Sequence, residues 1–102
     1  MNVTVVREGL ENALKSILQD VNNGSKDLQE LAKEIAATAV QVAALTAESG
    51  DLSQTKLYRE LLAQTLLLAE IARVRLSKEI MARVQAAIQT GSQILITALT
   101  QI

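Results

Sequence analysis

The side chains able to do acid–base or ligand chemistry in this sequence are carboxylates, scattered cations and one phenol. Glu8 and Glu11 stand three residues apart, and Glu30 and Glu34 four apart, so each pair would share one face of a helix. Paired carboxylates can divide acid and base roles, or hold a divalent cation together with other oxygen ligands. Neither pair has a histidine beside it, because the chain contains no histidine, and it contains no cysteine or tryptophan either. That composition removes the commonest general base, the usual zinc ligands and the thiol nucleophile. Each pair therefore reads as a solvated helix face, and no catalytic, cofactor-binding or metal-binding residue is expected. Gly24-Ser25 and Gly91-Ser92 follow no strand pattern and are not phosphate loops. Arg73, Arg75, Lys78 and Arg83 spread around a helix circumference with Glu79 among them, which argues against a nucleic-acid stripe. Tyr58 is the only aromatic residue, so nothing offers a stacking platform for bases or sugars.

The elements that would position these groups are helices. Of 102 residues, 49% are apolar, enough for one domain with a modest core of Leu, Ile, Val and Ala, and a single domain over 1–102 is expected. Formal net charge is −1, with residues 1–51 at −4 and residues 52–102 at +3, which suits two halves that fold against each other. The N-terminal residues have no basic region ahead of an apolar run and do not read as a classical signal peptide. The apolar run Leu61 to Ala72 is too short to span a bilayer and contains Gln64 and Glu70. The expectation is a soluble chain, cytoplasmic or exported by a signal-less route.

Val3, Val6, Leu10, Leu14, Ile17 and Val21 recur at helical spacing and predict a first helix over 4–22, with Glu11 and Lys15 placed for an i,i+4 ion pair. Asn22-Asn23-Gly24-Ser25 would stop it, and Ser25 or Asp27 would cap the next helix. Leu28, Leu31, Ile35, Ala39, Val42 and Leu45 form the stripe of a second helix over 26–48. Its segment Ala36-Ala37-Thr38-Ala39 permits close helix approach. Ser49-Gly50-Asp51 would end that helix, and Asp51 to Gln54 has capping-box spacing.

Beyond this point the helical pattern runs over 52–102 without proline and with one glycine, Gly91, where a kink is expected because glycine costs about 1 kcal/mol in a helix interior. Between Leu57 and Ala72 the apolar residues surround the axis. A helix apolar on every side must be enclosed on every side. Further on, Leu76, Ile80, Val84, Ile88, Ile94, Leu95, Leu99 and Ile102 gather on one broad face. A continuous third helix would be about 75 Å long, against about 28 and 34 Å for the first two, so one chain could not cover it. The expected fold is all-α, an antiparallel hairpin or bundle of three helices with a long last one, and that C-terminal face is the expected self-association interface. A compact four-helix bundle turning near Ser77 ranks lower, because nothing from Arg75 to Glu79 looks like a turn. On the continuous helix Arg73 shares a face with Leu62, Leu66, Ile80 and Val84, with Glu70 about 60° away. The pair would form a buried ion pair that fixes register, or Arg73 would reach an edge.

In kind, the chain resembles small secreted helical-hairpin subunits such as type III secretion needle and inner-rod proteins. It shares their size, mid-chain turn, poverty in aromatics and uncharged Gln/Thr-rich end. Many phage and bacterial helical bundles share these traits too, and the likeness is one of composition that transfers no residue role. The expected function is a non-enzymatic structural protein whose partner is itself. The alternative is a small adaptor or chaperone that holds a partner helix in an apolar groove. A membrane-surface helix over 84–102 ranks below both, and nucleic acid is not an expected partner.

Overall fold

The computed structural model describes residues 3–19, 26–50 and 53–100. They form four helices and no strand: α1 (Val3–Leu18), α2 (Lys26–Glu48), α3 (Gln54–Ile71) and α4 (Lys78–Thr100). The first turn, at 22–25, lies outside the described residues, as do its cap Ser25, the side chain of Asp27, the cap Asp51, and Val21 and Ile102. Glu11 and Lys15 meet on α1 at 2.9 Å. At the end of α2, Gly50 takes φ +75, and its N–H donates to the Ala47 carbonyl at 3.1 Å. A left-handed residue just past a helix end is the usual place for glycine. Ser53 caps α3: its backbone is extended and its hydroxyl accepts from the Lys56 N–H at 3.2 Å.

The helices close into a ring in chain order. Helix α1 packs on α2 and α4, α3 packs on α2 and α4, and α2 meets α4 across the diagonal. The particle measures 40 × 22 × 20 Å, a length set by the two longest helices, which at 23 residues each span about 34 Å. Val6, Leu10, Leu14 and Leu18 of α1 point inward, as do Leu57, Leu61, Thr65 and Ala69 of α3. Both diagonal helices bury small side chains: Ala32, Ala36, Ala39 and Ala43 on α2, and Ser92 on α4, with Gly91 turned toward Leu10 of α1. Small residues at the contact let two helix axes approach closely. The buried hydroxyls are satisfied within their own helices: Thr65 donates to the Leu61 carbonyl at 2.7 Å and Ser92 to Ile88 at 2.8 Å.

The continuous helix expected over 52–102 is broken at 72–77. Ala72 is the C-cap of α3, and its N–H donates to Leu68. Arg73 comes next at φ 58, its N–H bonded to the Glu70 carbonyl at 3.0 Å. The Val74 N–H bonds to the Ala69 carbonyl at 2.9 Å, and Val74 packs on the core edge. These two backbone bonds make a Schellman motif, with arginine where glycine is usual. Ser77 then caps α4, accepting from the Ile80 N–H at 3.2 Å. At Gly91, where a kink was expected, α4 runs through without a break. A Cβ there would lie 3.1 Å from Leu10 Cδ1, so α4 packs closely on the Leu10 side chain at Gly91.

This packing can be probed at two places. Leu10 has open space beside it along the α1–α4 seam, so its methyls can yield to one added carbon. Gly91→Ala should then stabilise the chain by about 0.5–1 kcal/mol through helix propensity, whereas Gly91→Leu should cost about 1–3 kcal/mol by overpacking; urea melts of both variants decide it. Truncation after Gln89 removes Leu95 and Ala98 from the core. It should lower helicity and melting temperature across the whole chain, not merely at its end, as circular dichroism would record.

Candidate functional site

The concave feature of this bundle is an apolar trough between α1 and α4, with a volume of about 540 Å³. Its origin lies in the row beside the α1 core row. Val5, Gly9 and Ala13 recur every four residues, one step round the helix from Val6 and Leu10. Gly9 has no atom within 4 Å of where its Cβ would be. Opposite stand Ala86, Ala87, Thr90 and Gly91 of α4. Leu10 closes the floor, while Val5 and Ile94 rise from the lips, exposed by 59% and 37%. Arg83, at one end, is the single charged residue of the lining. The trough offers hydrophobic surface and almost no polar chemistry. A second apolar surface lies on the outer face of α3, where Leu66, Leu67 and Ile71 are exposed.

The expected interface residues divide. Val84, Ile88 and Leu95 are buried in the chain's own core, and Leu76, Ile80 and Leu99 pack partly against it. That face is therefore covered within one chain, which corrects the expectation that it needs a second. The reason is the corner at 72–77, which folds α4 back along α3. Ile94 alone among the described members of that set stands on the trough's lip.

The buried pair, expected within or between chains, does not form inside one chain. Glu70 and Arg73 are both exposed on the chain. Their shared inner face existed only on a helix continuing past Ile71, and the left-handed turn of Arg73 ends that projection. The carboxylate pairs form no ligand cluster. Glu11 is engaged by Lys15, and Glu30 and Glu34 are exposed beside Leu31 and Ala72. Among the described residues no three acidic, His or Cys side chains converge, and no helix is long and apolar enough to cross a membrane.

The trough itself escaped sequence reasoning. Its signal was the spacing of Val5, Gly9 and Ala13, a second weakly apolar row on α1 that the stronger leucine row overshadows.

An exposed charge contributes little to stability. Arg73→Met keeps the left-handed penalty unchanged, since both are non-glycine residues, and should fall within about 0.5 kcal/mol of wild type. Glu70→Leu should do the same. A loss of several kcal/mol in urea melts of either variant would mean that the pair is buried in an assembly.

Comparison of the chain with protein-family models, with curated proteins and with solved structures finds no match.

Proposed function

We propose that this chain is a non-enzymatic helical assembly module that associates with further copies of itself through the α1–α4 trough. The observation that carries the reading is the chemistry of that surface: a long apolar depression with one charge in its lining. Two such surfaces can face each other without desolvating ion pairs. A two-fold arrangement is self-complementary, because Val5 and Ile94 project beside a floor of Gly9, Ala13 and Ala87 that has room for them. Charge elsewhere on the surface would keep the remaining faces apart.

A second reading is favoured by the trough's shape. Its α1 wall runs from Val5 to Ile17, about 18 Å of helix, which matches an apolar stripe on a partner helix of three turns or so. In that case the chain is an adaptor. The membrane-surface reading gains no support, because Val84, Ile88 and Leu95 are occupied in the core.

Sedimentation and light scattering of the purified chain distinguish these readings. Self-association through the trough should give a defined oligomer, and Ala13→Glu with Ile94→Glu should weaken that association at least about tenfold with helicity unchanged. A wild-type chain that stays monomeric at high concentration would remove the assembly reading and leave the adaptor.

A further inference from the structure

The corner between α3 and α4 is made without glycine or proline, and Ser77, which caps α4, is its only local signal. Neither glycine nor proline occurs between Gly50 and Gly91. Arg73 nevertheless occupies the left-handed region at φ 58, a conformation that L side chains enter at a cost. The same six residues, Ala72 to Ser77, carry side chains that a straight helix accepts. Ile71, the last residue of α3, is 70% exposed, and Leu67, one turn earlier, is 50% exposed.

We infer that 72–77 is a hinge, and that α3 and α4 straighten into one helix over 54–100 that exchanges α4 with a second copy. In the exchanged dimer each α4 makes the contacts it makes in the closed chain, so the balance rests on the hinge and on protein concentration. Straightening removes the left-handed residue and adds helical hydrogen bonds across 72–77. It also aligns Ala63, Leu67, Ile71, Val74 and Met81 within about 80° of arc on one face. Where the two straightened helices cross at the hinge, that face of one copy covers the same face of the other. The exposed leucine and isoleucine at the corner thereby gain an occupant. This inference rests on the self-association reading but not on the trough, since it uses a different part of the molecule.

The chain has no cysteine, so a label pair can be placed at will. Spin labels at Gln64→Cys and Gln89→Cys, diluted with unlabelled chain and refolded at high concentration, report the distance within one chain. The straight helix places them about 38 Å apart, while the closed hairpin sets them on neighbouring antiparallel helices, well short of that. The oligomer fraction should show the long distance, and should keep it when Ala13→Glu and Ile94→Glu disable the trough. Arg73→Gly relieves the left-handed cost and weakens the straight helix. It should cut the long-distance population about tenfold per hinge, roughly a hundredfold for a dimer that opens two. Arg73→Ala, which keeps the cost and loses the guanidinium, should retain it. An oligomer showing only the short distance would overturn the exchange and leave the trough dimer standing. Absence of any oligomer overturns both, and loss of the long distance in Arg73→Ala would trace it to the arginine side chain and overturn the hinge.

Discussion

A helical bundle with no large aromatic side chain at its centre has to bring its helices close together. The only aromatic, Tyr58, sits at the core's edge. Four alanines of α2 and Ser92 of α4 are buried in the interior, and Gly91 of α4 faces Leu10 of α1. Helices α1 and α3 flank the diagonal pair α2 and α4 and supply six of the twelve large buried aliphatic side chains, Val6, Leu10, Leu14, Leu18, Leu57 and Leu61. Leu14, Leu57 and Leu61 are nearly or fully inaccessible there. Gly91 packs against the Leu10 side chain, where a larger residue would overfill the α1–α4 contact. The trough arises from the same constraint. Small residues chosen for close packing continue onto the outer side of the α1–α4 seam, where nothing in this chain covers them.

Within one chain this packing requires the reversal after Ile71. The reversal is assembled from backbone bonds at Ala72, Arg73 and Val74 and from the Ser77 cap, with Val74 and Leu76 anchored on the core edge. Its energetic support is therefore tertiary. The left-handed cost at Arg73 is offset by the surface α4 buries once folded back, and by little that is local. In the preceding reversal the balance is the other way, because Gly50 accepts φ +75 freely and Ser53 caps α3.

This difference explains which parts of the fold were legible in the sequence. The end of α2 could be read from Gly50, and the inner rows of α1 and α2 from the spacing of Val6, Leu10 and Leu14 and of Leu28, Leu31 and Ile35. The row on α2 then drifted: Leu45 was expected inside but is 60% exposed, while Ala43 and Thr46 take the inner places. A 3.6-residue helix slips steadily against a repeat of three and four, and an alanine in the right place packs where a displaced leucine cannot. The corner at 72–77 was illegible because arginine stands where the rule looks for glycine. Its one local sign was Ser77 with Glu79 in the first turn of α4. The candidate site was barely legible, since small residues show in a sequence as an absence of pattern and become a surface only when two helices set them side by side.

Helix α3 carries the deepest tension in the molecule. Its inner row is Leu57, Leu61, Thr65 and Ala69, so two of its four inner places go to small side chains, while Leu66, Leu67 and Ile71 face outward. Fully burying a large aliphatic side chain contributes about 1.5–3 kcal/mol, so these three together forgo several kcal/mol in the closed chain. Rotating α3 to bury them would thrust bulk against α2 and α4, whose close diagonal leaves no room. The small inner row is therefore the one the alanine-lined diagonal demands, and the large outer row is its consequence. Exposed apolar surface is concentrated at the C-terminal end of α3, next to the corner where Arg73 is left-handed. Exposed apolar surface at Leu67 and Ile71 thus adjoins a backbone turn that an arginine holds at a left-handed φ.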